Sequence, residues 1–192
     1  MALGEIVDGF AELRVPLRFP EGLPNLEATD SVRITDRTPI VRAAANGAEL
    51  VVRRWSWPGP SGKPVYNYRS EGRALGRGRC LVPVTAFYEH TPPADPKQRR
   101  KDKWAFAAVE ASWFCLGALW RADEGVGEAF ALLTCEPGPD VAAYHQRQMV
   151  VVPRVAWSGW LDGSIPASDV CRPLAAGALA VAPFARAKQS QT

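Results

Sequence analysis

Residues 53–90 read RRWSWPGPSGKPVYNYRSEGRALGRGRCLVPVTAFYEH, and this stretch decides both the expected fold and the expected chemistry. It opens at the end of an apolar run (49–55, ELVVRRW), crosses a Pro/Gly loop at residues 58–62, and closes in two further apolar runs, 80–84 and 86–90. Short β-branched and aromatic runs separated by Gly and Pro read as strands, because such side chains fit a pleated, half-buried surface. The stretch also carries Trp55 and Trp57, Asn67 and Arg69, five further arginines, and an acid behind two aromatics in Phe87-Tyr88-Glu89. Bases stack on flat aromatic faces and arginines hold phosphates, so this interleaving points to a single-stranded nucleic acid partner. A buried Trp pair beside solvated arginines would produce the same pattern.

Charge leans toward the first reading. Residues 53–103 hold 12 Lys+Arg against 4 Asp+Glu, a local +8 within a chain whose net charge is +3, so the flanks are acidic. A basic middle between acidic ends suits a polyanion better than a membrane. No apolar run approaches the length of a membrane span. The first twenty residues, with acids at Glu5, Asp8 and Glu12, lack the basic-then-apolar order of a secretory signal, so a cytoplasmic or nucleoid-associated protein is expected. Cys80, Cys115, Cys135 and Cys171 form no C-x-x-C and only two histidines accompany them, which argues against a metal site; no cofactor is expected. These cysteines read as small core residues.

At 192 residues and 47% apolar, the chain fits one domain over residues 1–185, with 186–192 a disordered tail and a monomer expected. Residues 1 to about 30 read as an extended lead-in with little regular structure. Further strands are expected within 32–45, broken at Pro39, and at 104–109, 114–120, 129–135, 149–152 and 178–182. Short helices are expected at 140–144, 156–161 and 167–172, the last capped by Ser168. The class is therefore α+β: a β-rich, barrel-like core with a few short helices. The proline-bearing loop before Trp104, with Lys97, Arg99, Arg100, Lys101 and Lys103, is either a solvated hairpin tip or a phosphate-steering patch.

A second informative stretch is TCEPGPDVAAYHQRQMVVVP, residues 134–153, where a short helix ends at His145-Gln146-Arg147 just before an apolar strand. A histidine at such a junction can face a cleft and transfer protons. With Glu89, Asn67, Arg69 and Arg147 it completes an inventory for acid/base chemistry on a phosphate-bearing substrate.

Several blocks, in order, resemble the SRAP family, the proteins labelled SOS response-associated peptidases. They are Arg54-Trp55, 62–71 (GKPVYNYRSE), 79–83 (RCLVP), 86–89 (AFYE), 117–120 (GALW), 134–136 (TCE), His145-Gln146-Arg147 and Trp160-Leu161, within residues 32 to 162. The resemblance implies a single SRAP-like domain that binds single-stranded DNA at abasic sites in the DNA damage response. Family members use an N-terminal cysteine, whose amine condenses with the sugar aldehyde and whose thiolate closes a thiazolidine. It also implies roles: Asn67 and Arg69 hold the sugar-phosphate, Glu89 assists proton transfer, His145 is the acid/base and Trp55 stacks on a base. Arg54, Arg73 and Arg147 join the expected DNA contacts.

Position 2, however, is Ala2, and Ser56-Trp57 replaces a Gly-Leu of the family pattern, Gln148-Met149 a Met-Pro. Without a thiol β to the terminal amine no thiazolidine can close. What survives is the α-amine of Ala2 once Met1 is removed, a Schiff-base nucleophile for a weak abasic-site lyase. The alternatives are a non-catalytic DNA-binding or interaction module derived from the same fold and, last, a peptidase.

Overall fold

The run 37–55 folds back on itself at Ala45-Asn46, pairing β2 (Arg37–Ala44) with β3 (Gly47–Trp55) in antiparallel register from Arg37–Arg54 to Ala44–Gly47. Gly47, the first residue after the turn, has φ 121°, and a Cβ there would meet the carbonyl of Pro16 at 2.5 Å, so only glycine fits. The structure is a computed structural model describing residues 1–26, 29, 31–73, 75, 76 and 78–184. The expected tail at 186–192 lies outside the described residues.

β2 is continued by β7 (Arg79–Val84), β10 (Phe114–Asp123) and β11 (Gly127–Cys135), all antiparallel. β11 then meets β3 in parallel, Ala129 opposite Arg54 and Phe130 opposite Trp55, which closes five strands into a barrel. β1 (Leu17–Arg18) lies parallel to β3. β4 (Trp57–Pro58) and β5 (Pro64–Val65) form a small hairpin that leads into β6 (Asn67–Arg69), parallel to β11. The expected run at 149–152 is two short strands, β12 (Gln148–Met149) on β11 and β13 (Val151–Val152) on β10, so residues 148–152 wedge between the two long strands. A separate sheet of β8 (Phe87–Thr91), β9 (Asp102–Ala108) and β14 (Leu179–Pro183) completes the α+β architecture.

Two expectations need correction. β2 runs through Pro39, because the β2–β7 register is confined to Val41 and Arg42 and the missing N–H of Pro39 interrupts nothing there. Residues 1–30 are not merely a lead-in, since α1 spans Leu3–Glu12. Leu3, Ile6 and Phe10 recur at helical spacing; Ile6 and Phe10 are fully buried, and the Phe10 ring packs 4.9 Å from Trp157. The acids Glu5, Asp8 and Glu12 between them disguised this period. The other helices are short: α2 (Pro139–Ala142), α3 (Trp157–Asp162) after a 3₁₀ turn at Arg154–Ala156, and α4 (Ala167–Val170). Ser168 does not cap α4, whose N-cap is Pro166.

Alternation along the barrel strands separates two cores. Val41, Leu50, Leu81, Cys115 and Leu133 cluster with α1 and with Trp157 and Trp160 of α3. Ile40, Val51, Cys80, Val82, Leu116, Ala118 and Phe130 cluster instead with Phe87 and Phe106 of the second sheet. The tryptophan pair splits. Trp57 is buried, whereas Trp55 is half-buried, because Ser56 between them has φ 91° and breaks the alternation. An L side chain rarely adopts such a backbone. Some of the basic middle is internal: Arg53 is buried against Glu21 and Glu128, and Arg79 bonds the carbonyls of Leu75 and Ile165.

Two stability outcomes follow from this packing. In Gly9→Ala the new Cβ would stand 2.5 Å from Trp113, so urea unfolding should show a loss of about 1–3 kcal/mol. Ser56→Gly should gain about 1 kcal/mol by releasing the left-handed backbone, read in the same titration.

Candidate functional site

β8 alternates faces, turning Phe87 and Glu89 inward and His90 outward. Trp104 of β9 sits directly across from Glu89, and the ring of Tyr144 packs 4.8 Å from Trp104. Pro139 starts α2 at a position where no N–H is needed, and the chain leaves it with the His145 N–H bonded to the carbonyl of Val141 at 3.0 Å. Tyr144 on Trp104 thus delivers His145 to Glu89, with Nδ1 3.5 Å from Oε1. Glu89 is only 8% exposed while the His145 side chain is 40% exposed, so a buried carboxylate meets a solvent-reached imidazole. Burial pushes the Glu89 carboxyl above the usual carboxylate range; the neighbouring His145 acts the other way and less strongly.

Asn67 and Arg69 ride on β6, in register with Leu132 and Thr134 of β11. The Asn67 Oδ1 is buried with no hydrogen-bond partner among the described residues, and Arg69 is exposed. Arg147 reaches the same place from the other side of β11: its Nη2 donates to the Thr134 carbonyl at 2.8 Å and to Glu71 Oε2 at 2.6 Å. The register therefore gathers Asn67, Arg69 and Arg147 along one end of β11, and the His145–Glu89 pair adjoins through residues 145–147. Arg73 is exposed and stacks 4.7 Å over the Tyr68 ring. Arg54 lies on β3 opposite Arg37, its Nε buried without a partner.

A cavity of about 660 Å³ opens along β8 on the side of Tyr88 and His90, and neither Glu89 nor His145 lines it. Leu116, Phe130, Leu132 and Met149 from the barrel form part of its wall, and Trp55, Tyr88, His90 and Met1 also line it. The Trp55 indole is fixed by its N–H on the Tyr66 carbonyl at 2.9 Å and by an edge-to-face contact with the Tyr66 ring. Met1 brings the start of the chain to this cavity, while the backbone N–H of Ala2 donates to Glu5 Oε2 at 2.5 Å as the cap of α1.

A model of the SOS response associated peptidase (SRAP) family matches residues 23–187. The chain belongs to the SRAP family. Three solved structures are similar in fold to this SRAP protein. A phage-related protein of Bordetella bronchiseptica, 18% identical, superposes with a TM-score of 0.70 over 97% of this chain and 92% of its own. Another protein of the same bacterium is 21% identical, with a TM-score of 0.67 over 85% and 90%. One from Bacteroides thetaiotaomicron is 15% identical, with a TM-score of 0.63 over 79% and 75%. No curated protein matches the chain. At the level of the family, membership carries an SOS-response association of the abasic-site type and a DNA-related partner.

The four cysteines are not activated nucleophiles. Burial pushes the Cys80 and Cys115 thiols well up, Cys135 to about 12 and Cys171 to about 11. Among the described residues no group of three His, Cys, Asp or Glu side chains could hold a metal ion. Sequence reasoning overlooked Glu71, the partner of Arg147, and His90. Glu71 stood inside the quoted 62–71 block without a role. His90 neighbours Glu89 on the opposite face; burial, then Lys103, Lys101 and His145, lower its proton affinity.

Because the folded-state pKa of Glu89 is raised, the folded chain keeps a proton that the unfolded chain releases, and stability falls as pH rises through that window. Glu89→Gln removes the buried charge. It should raise the unfolding free energy at pH 7.5, with the gain fading as pH drops and gone below the unfolded value of about 4.3. Denaturant titrations at pH 7.5 and pH 4 check this; an equal change at both would contradict the burial effect.

Proposed function

We propose that this SRAP protein engages single-stranded DNA at abasic sites, with Glu89 and His145 as its proton-transfer pair. The observation that carries the reading is the buried carboxyl of Glu89, held toward its protonated form 3.5 Å from a half-exposed imidazole. A carboxyl perturbed by burial and facing a solvent-reached imidazole is a candidate for proton transfer. On this reading the ring-opened sugar presents its aldehyde to an amine. Attack forms a carbinolamine, and loss of water, with a proton supplied to the departing hydroxyl, leaves an imine. A base then abstracts the proton α to the imine and the 3′ phosphate leaves by β-elimination. Glu89 and His145 exchange the protons, Asn67 and Arg69 hold the sugar-phosphate, and Trp55 stacks on a base, with Arg54 and Arg73 as outer phosphate contacts. The amine is the α-amine of Ala2 after loss of Met1, and the setting is cytoplasmic.

A non-catalytic DNA-binding module is the second reading, and one observation favours it. The Ala2 nitrogen faces Glu5 as a helix cap, a place where a carboxylate would stabilise the ammonium form and blunt its attack on an aldehyde.

Incubation with an abasic single strand, with and without borohydride, separates the two. The lyase reading expects a reductant-trapped adduct and strand cleavage, both lost in Glu89→Gln; binding without adduct or cleavage leaves the module. Under either, affinity should fall steeply with salt and Trp55→Ala should cost about 1–3 kcal/mol in a fluorescence-anisotropy titration. Absent or salt-independent binding would rule out both.

A further inference from the structure

The structure assigns Glu71 and Arg147 a positioning role: together they hold the 145–147 turn so that the His145 ring serves as either acid or base without moving. The inference rests on the proton-transfer role proposed for His145, and it begins at Nδ1. The Arg147 carbonyl lies 2.8 Å from this nitrogen and the Arg147 N–H 3.2 Å from it. The two contacts suit opposite tautomers. Protonated, Nδ1 donates to the carbonyl and leaves Nε2 a base; unprotonated, it accepts the amide N–H and leaves Nε2–H an acid. The backbone of one residue, Arg147, thus supports both forms of the ring in place.

Such a bracket works only if residue 147 stays put, and residues 143–147 belong to neither a helix nor a strand. The Arg147 side chain supplies the anchor, since its Nη2 bonds the Thr134 carbonyl at 2.8 Å, the Thr134 hydroxyl at 3.3 Å and Glu71 at 2.6 Å. The same Thr134 carbonyl accepts from the Ser70 amide and the Ser70 hydroxyl, each at 3.0 Å. The strand that carries Asn67 and Arg69 and the turn that carries His145 therefore meet on one carbonyl oxygen, and the Glu71–Arg147 ion pair locks them together. The Arg147 and Glu71 side chains are 20% and 42% exposed, and a pair so open to water contributes little to stability. Its worth lies in geometry.

The test uses the full chain with Glu71→Ala, Glu71→Gln and Arg147→Lys. The chain has only two histidines, so His90→Gln assigns the His145 ring nitrogens in ¹⁵N NMR spectra. Glu71→Ala should keep its melting temperature and its half-saturating oligonucleotide concentration, yet change the tautomer populations of His145 and slow adduct formation about 10- to 100-fold. Glu71→Gln, which keeps an oxygen for Arg147 to bond, should recover most of both. Arg147→Lys should shift the same nitrogens and serves if Glu71→Ala fails to fold. Unchanged His145 spectra in folded variants, or a rate that falls only in proportion to folded protein, would overturn the inference. If the unmodified protein forms no adduct, the proposed lyase reading fails, while the nitrogen spectra still decide the positioning role.

Discussion

The parallel pairing of β3 with β11 is the constraint on which the rest of the structure depends. It closes the barrel, so the two long strands carry no open edge along Arg54–Trp55 and Ala129–Phe130. Because β3 departs after Trp55, the remaining edge of β11 is left for β6, which brings Asn67 and Arg69 to Leu132 and Thr134. On its other edge β11 diverges from β10, and residues 148–152 fill the gap through β12, β13 and the two backbone bonds of Val150 to Leu133 and Gly117. The His145 turn stands immediately before that wedge. One strand thereby orders the amide, the arginines and the imidazole of the site.

Charge is divided by the same architecture. Arg42 and Arg53 share Glu128, with Glu49 and Glu21 as outer partners, and Arg42 also stacks 4.2 Å from the Trp120 ring. Mutual bonds hold the Glu21 carboxyl below the usual carboxylate range, with the Arg53 hydrogen bond the largest cause. These cations serve the fold. Lys63, Arg69, Arg73 and the loop at residues 97–101 remain exposed.

Glu89 carries the opposite sign of stability effect. A carboxyl pushed up by burial makes the folded state less stable at neutral pH than a neutral isostere would, which is the usual mark of a group kept for chemistry rather than for packing. Its one titratable neighbour within ion-pair distance among the described residues is His145. The proposed reaction therefore depends on a carboxyl whose burial raises its proton affinity, set against an imidazole that water reaches.

Strand positions, the short helices and the grouping of Glu89, His145, Asn67 and Arg69 as candidates were legible from the residues, because periodicity and turn chemistry are local. The SRAP blocks were legible for the same reason: they are contiguous. α1 was hidden, since its apolar positions Leu3, Ile6 and Phe10 acquire meaning only once Trp157 and the barrel wall exist to cover them. Which tryptophan opens to the cavity turned on one dihedral angle at Ser56, and which arginines are internal turned on acids as distant in sequence as Glu21 and Glu128. The 3.5 Å approach of Glu89 to His145 and the meeting of Ser70 and Arg147 on the Thr134 carbonyl join segments more than fifty residues apart. Local pattern determines what each segment can become; only the closed barrel, by fixing register across β11, decided which of them touch.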